Sequence, residues 1–231
     1  MIHAYSWRTS NGRKLHIMLE EIGLPYALYP VDIRKGDQFK PEFLKISPNN
    51  KIPAIVDDEP IGGGAPLAIF ESGAILSYLA EKSGKFLPTE IHARTTVMQW
   101  VFWQGGGFGP MLGQAHHFVD YAPPGSDYAK NRYIKEAGRL YGVLDRRLGE
   151  STYLGGPDYT IADIITFPWS QGYEKHGQKI ADFPNVKRWQ DAILARPAVQ
   201  RALPLLRDIP DTPMDEKARS IMFGDAQYQR R

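Results

Sequence analysis

The sequence predicts an α/β unit over its first 82 residues and an all-α unit after it. Two observations carry that division. Short β-type runs alternate with helix-spaced apolar residues up to Lys82, and after Ser83-Gly84-Lys85 only long helical periodicities remain.

Each element has a local reason. Ile2 to Tyr5 is a short apolar strand, and Leu15, Met18, Leu19 and Ile22 fall on one helical face before a Gly23-Leu24-Pro25 stop. Ala27 to Asp32 is the second strand and Pro41 to Ile46 a short helical turn. Ala54 to Asp57 and Leu67 to Phe70 are the third and fourth strands, and Ser72 to Lys82 is a helix N-capped by Ser72. The order βαβαββα is the thioredoxin-like arrangement. It assigns residues 1–83 to the first domain, with a boundary near residues 83–90.

An all-α domain is expected over residues 91–206. Val97, Trp100, Val101 and Gln104 begin a helix that Gly105-Gly106-Gly107 interrupts, and Tyr133, Ala137, Leu140, Tyr141, Leu144 and Leu148 mark one face of another. Thr160-Ile161-Ala162-Asp163 is a capping-box variant at the start of a buried helix. Val186, Trp189 and Ile193 continue the packing before Arg196-Pro197. Residues 207–231 are polar, proline-bearing and aperiodic, so an extended or partly disordered tail is expected.

Composition narrows the chemistry. The 28 basic and 26 acidic residues, net +2, provide no field for nucleic acid or an anionic membrane. A small-molecule ligand is the better default. With no cysteine there is no disulfide, thiolate metal site or protein thiol nucleophile, and any sulfur chemistry must use a ligand's thiol. No apolar run reaches the roughly 18 residues of a membrane span, and Arg8, Arg13 and Lys14 leave no signal-peptide core. A soluble, cytoplasmic protein is expected. His116-His117 has no partner at a recognisable metal spacing, and neither glycine cluster satisfies a nucleotide fingerprint, so neither a metal nor a nucleotide is expected.

Three segments can carry chemistry. A cis Ile52-Pro53 bond would expose a strand edge to an extended peptide, the alternative being a trans proline that merely opens a strand. Glu71 and Ser72 stand at a helix mouth, where the partial positive charge attracts a carboxylate, Ser72 can donate to it and Glu71 can accept from an ammonium. Thr9-Ser10-Asn11-Gly12 offers hydroxyl and amide donors able to stabilise a ligand thiolate, or is simply a polar cap.

Together the blocks Thr9-x-Asn11-Gly12, Gly36-x-Gln38-Phe39, Pro41-Glu42-Phe43, Ile46 to Val56, Phe70 to Glu81, Gly109 to His117 and Ile161-Ala162-Asp163 resemble the glutathione transferase superfamily. The likeness is greatest to its bacterial nu class, which includes glutathione-dependent disulfide-bond reductases. It implies that Asn11, helped by Thr9, faces the glutathione sulfur, with Ser10 as a competing donor. It also implies that Gln38 holds the glycyl end and that the Ile52 backbone, beside Lys51 and Pro53, pairs with the cysteinyl unit. Glu71 and Ser72 would bind the γ-glutamyl end, and Arg132 would reach a glutathione carboxylate. Arg8 and Ser10 stand where prolines are expected around Thr9, and because some members activate the thiol with a tyrosine near the first strand, the resemblance also raises Tyr5, whose place within the strand favours packing.

The expected activity is disulfide reduction by thiols of bound glutathione, in a homodimer without metal. The first alternative is transfer to electrophiles or reduction of organic hydroperoxides, and the second is a non-catalytic glutathione-binding regulatory protein.

Overall fold

The structure, a computed structural model, describes residues 1–229. The chain divides into two compact units, one formed by Met1–Tyr78 together with the segment from Arg201 onward and the other by Leu79–Gln200.

The first unit is built on a mixed four-stranded sheet of order β2-β1-β3-β4: β1 (Ile2–Ser6), β2 (Tyr26–Pro30), β3 (Ala54–Asp57) and β4 (Leu67–Phe70). β1 and β2 are parallel and joined through helix α1 (Ser10–Ile22), as a parallel pair requires. β3 pairs antiparallel with both β1 and β4. The register Tyr5↔Ala54↔Phe70 therefore brings three segments to one end of the sheet: the residues leaving β1, those entering β3 and those leaving β4. Every candidate segment of this unit except the Gln38 region adjoins that end.

Alternation in β1 buries Ile2, Ala4 and Ser6, while α1 buries Leu15, Met18, Leu19 and Ile22. A cluster of Trp7, Val31, Phe43, Ile52 and Ala54 includes Phe43 of the short helix α2 (Pro41–Leu44). The start of α1 depends on Gly12, because a Cβ there would lie 1.9 Å from the Trp7 carbonyl oxygen and 2.6 Å from Ser6 Oγ. We expect Gly12→Ala to cost about 3 kcal/mol or more in chemical denaturation. A loss below 0.5 kcal/mol, roughly the scale of an ordinary surface substitution, would contradict this packing.

Helix α3 (Ser72–Ser83) crosses the boundary between the units. The second unit continues with α4 (Ile91–Trp103), α5 (Gly109–Asp120), α6 (Asp127–Glu150), α7 (Ile161–Ser170), α8 (Pro184–Leu194) and most of α9 (Pro197–Ala202). The break expected at Gly105-Gly106-Gly107 is instead a π-helical turn, Gln104–Phe108, that leads from α4 into α5. The Gly109 N–H donates to the Gln104 carbonyl, so the widened turn keeps its backbone bonded where three glycines suggest an interruption.

The capping box at α7 is present. Asp163 is fully buried and accepts from Leu154 N–H at 3.0 Å, Thr160 N–H at 3.0 Å, Thr160 Oγ1 at 3.2 Å and Trp189 Nε1 at 2.9 Å. Burial pushes its carboxyl up to about 6, and these donors oppose that rise.

Where the sequence suggests an extended or partly disordered tail over 207–231, the structure over 207–229 contains a docked segment and a further helix, α10 (Glu216–Phe223), and residues 230–231 of that expectation lie outside the described residues. Asp215 caps α10 by accepting from Ala218 N–H at 2.8 Å. Leu206 and Ile209 pack against the Trp7–Phe43 cluster, Arg8 Nη2 donates to Asp211 Oδ1 at 2.7 Å, and Arg34 Nη1 donates to the Thr212 carbonyl at 2.6 Å. These anchors are single residues between prolines and polar groups. They leave no apolar period to read.

Candidate active site

Thr9 is the N-cap of α1, and its Oγ1 accepts from the Gly12 N–H at 3.1 Å. That bond leaves the Thr9 hydroxyl hydrogen available to a ligand. Ser10 and Asn11 are the first two helical residues, both half-buried, at the positive end of the helix. In place of the expected proline, Arg8 lies over the Trp7 ring, 4.9 Å from its centroid, and bonds the C-terminal segment.

The Ile52-Pro53 bond is cis, as the sequence reading favours. Ile52 and Pro53 are buried just before β3, and the turn is fixed by Ser47 Oγ, which donates to the Lys51 carbonyl at 2.9 Å. Lys51 Nζ donates to Gln227 Oε1 at 3.0 Å, and burial lowers the pKa of its ammonium.

At the far side of this sheet end the cap of α3 shifts by one residue from the expected Ser72. Glu71, with φ 68°, takes the N-cap position: its carbonyl accepts from the Ile75 N–H at 2.9 Å. Ser72, expected as the cap, is the first residue of α3. The Glu71 carboxylate is exposed and accepts from Asn49 Nδ2 at 3.3 Å.

Gln38 is placed differently from its neighbours. It is 3% exposed, donates through Nε2 to the Ile33 carbonyl at 3.2 Å, and its Oε1 is buried without a hydrogen-bond partner. Arg132 is exposed on α6, in the helical unit. Tyr5 stacks on Tyr29 at 5.0 Å and lines a cavity of about 220 Å³ that none of the other candidate residues lines. Burial, with Tyr29 and Asp58 nearby, raises the pKa of its hydroxyl, which weakens it as a thiol activator.

Sequence reasoning missed Lys14. It is 3% exposed on α1, and its Nζ donates to Ser72 Oγ at 3.3 Å. Burial pulls its ammonium down to about 7, against the opposing charge of Glu71. A signal existed: Lys14 is four residues before Met18, within the apolar stripe of an amphipathic helix. Unfolded chains hold this proton up to about 10.5, so between about 7 and 10.5 the unfolded state binds more protons and stability rises with pH. We therefore expect Lys14→Met to stabilise the ligand-free protein by about 2 kcal/mol at pH 6. In urea titrations the gain should shrink as pH rises through that window, and a gain that grows instead would contradict the assignment.

A mixed sheet with a cis-proline edge, a donor-bearing helix start and an acidic-hydroxyl helix mouth, followed by a helical unit, is the arrangement that the sequence resemblance implies. Residues 10–82 match the glutathione S-transferase N-terminal domain and residues 114–197 the glutathione S-transferase C-terminal domain. The chain belongs to this family. It is 54% identical to the disulfide-bond oxidoreductase YfcG of Escherichia coli (strain K12), over 88% of this chain and 94% of that protein. A glutathione transferase family member from Pseudomonas fluorescens pf-5, crystallised with two glutathiones bound, has 50% identity and a TM-score of 0.82, covering 87% of this chain and 92% of its own. A glutathione transferase from Pseudomonas putida, with one glutathione disulfide bound per subunit, has 43% identity and a TM-score of 0.82, covering 89% and 91%. Among the described residues no cluster of His, Cys, Asp and Glu is arranged to hold a metal, and no helix is long and apolar enough to cross a membrane.

Proposed function

We propose that this protein is a glutathione-dependent disulfide-bond reductase that draws both reactive sulfurs from bound glutathione. The observation that carries the reading is the absence of cysteine in a chain 54% identical, over 88% of its length, to a disulfide-bond oxidoreductase. A cysteine-free protein of this class needs a second thiol from a second glutathione. Relatives crystallised with two glutathiones or with glutathione disulfide support that scheme.

In the first step a glutathione thiolate attacks one sulfur of the substrate disulfide, forming a mixed disulfide and releasing one substrate thiolate. The second glutathione thiolate attacks the glutathione sulfur of that mixed disulfide. Glutathione disulfide forms, the second substrate thiolate leaves, and the two protons lost from glutathione end on the two product thiols. Asn11 and Thr9 stabilise the attacking thiolate, with Ser10 as a further donor. The Ile52 edge, beside Lys51 and cis Pro53, pairs with the cysteinyl unit, and Gln38 is assigned to the glycyl end. Glu71 and Ser72 hold the γ-glutamyl end, and Arg132 offers a guanidinium to a glutathione carboxylate. Of these, Gln38 has the least access to a ligand, because its side chain is buried against Ile33.

We place the protein in the cytoplasm, where reduced glutathione is held, and propose a homodimer. Leu67 and Phe70, exposed on the edge strand β4, supply apolar surface for a second copy. Steady-state turnover of 2-hydroxyethyl disulfide and of an aryl halide, each with glutathione, tests the activity. Disulfide reduction should dominate; turnover of the aryl halide alone would favour conventional transfer, and failure to bind glutathione a regulatory protein.

A further inference from the structure

We propose that Lys14 is a positioning residue of the glutathione site, where its buried ammonium fixes the direction of the Ser72 hydroxyl and supplies the countercharge for the α-carboxylate of the γ-glutamyl unit. The proposal rests on the glutathione reading above and deepens it by assigning a recognition device to one end of the ligand.

The geometry sets the polarity of the pair. An ammonium has three donors and no acceptor, so at 3.3 Å from Lys14 Nζ the Ser72 oxygen can only accept. Its own hydrogen must then point elsewhere, and an anion at the mouth of α3 is a suitable acceptor. If Lys14 loses its proton, the neutral amine can accept from Ser72 and draw that hydrogen away from the ligand. One proton on Lys14 thus decides whether Ser72 serves the site.

The charges around Lys14 fit an amino-acid zwitterion. Glu71 faces it from the turn before α3 and is exposed for a ligand ammonium. On its own helix the Arg13 charge acts on His16, and Arg207 of the C-terminal segment acts on Arg13. With ligand bound, positive Lys14, carboxylate, α-ammonium and negative Glu71 alternate. Without ligand, the buried ammonium lacks that carboxylate and burial drives its proton off at about pH 7. Carboxylate binding should therefore draw a proton onto Lys14.

Titration calorimetry with S-methylglutathione, which has no ionisable thiol, tests this directly. The comparison ligand is the same molecule lacking the γ-glutamyl α-carboxylate. Wild type should prefer the complete ligand by about 100-fold, the scale of a buried charged hydrogen bond, and Lys14→Met by less than about 5-fold. Equal preference in the two proteins would overturn the role of Lys14 while leaving the glutathione site intact. Failure of wild type to bind either ligand would overturn the glutathione reading, and this role with it. A second measurement needs no variant: at pH 8, binding of S-methylglutathione to wild type in buffers of differing ionisation enthalpy should show uptake of about 0.5 proton or more. No uptake would overturn the proposal whether or not Lys14→Met folds.

Discussion

Replacing Asn11 with alanine is expected to lower kcat for disulfide reduction about 100-fold at pH 7, the loss typical of removing one donor from a developing or resident anion. The KM for glutathione should change only a few-fold, because the γ-glutamyl and cysteinyl contacts belong to other segments. Asn11 occupies the second position of α1, where the backbone dipole and the side-chain amide converge. A free thiol has a pKa of about 8.5, and each unit of depression corresponds to about 1.36 kcal/mol in favour of the thiolate. Losing the donor moves the thiol back toward its free value, so the deficit should narrow as pH rises to 9. Thr9→Ala should also destabilise α1 by about 1 kcal/mol, since Thr9 is its cap. Ser10→Ala carries no such cap loss. Stopped-flow ultraviolet detection of bound thiolate against pH separates the three donors, and an unchanged thiolate titration in Asn11→Ala would remove Asn11 from the mechanism.

Replacing Asp163 with alanine should cost about 4 kcal/mol of stability, because it leaves buried donors without an acceptor. Leu154 N–H, Thr160 N–H, the Thr160 hydroxyl and the indole of fully buried Trp189 all converge on this carboxylate. It thereby joins the loop before α7, the cap of α7 and the interior face of α8. Asp163→Asn should cost less but still lose one acceptor site. By calorimetry the alanine variant should melt roughly 10 °C below wild type, given a shift of about 2–4 °C per kcal/mol in a chain of this size. A shift below 2 °C would mean that these bonds contribute little.

The start of α3 and the strands that precede it differ in how much of them the sequence reveals. β3 and β4 lie at their expected bounds, because short apolar runs flanked by turn residues have few alternatives. The cis bond at Pro53 and the box at Thr160–Asp163 were legible for a similar reason, since each is a local pattern with a local cause. Glu71 and Ser72 were legible as a pair but not in order. Glu71 takes the cap through a positive φ, a conformation that an acidic residue does not announce.

The remaining omissions are tertiary. Lys14 reads as an ordinary charged residue of α1 until Ser72, 58 positions away, is brought to it. Gln38 reads as a ligand-facing amide, and its Nε2 bond to the Ile33 carbonyl, set by the Asp32–Asp37 loop, is not visible in the residues around it. Gln227 reaches Lys51 from a segment whose composition suggested little order, held there by anchors far apart in sequence. Such pairings are set by closure of the fold, which no window of the chain contains.

The central claim is that both sulfurs of the redox cycle belong to glutathione. Time-resolved mass spectrometry of the reaction with 2-hydroxyethyl disulfide measures it most directly. Two glutathiones should be consumed per disulfide, yielding one glutathione disulfide and two molecules of 2-mercaptoethanol, with the glutathione–mercaptoethanol mixed disulfide rising and falling between them. Consumption of a single glutathione per turnover, with no mixed disulfide and no glutathione disulfide formed, would contradict the account.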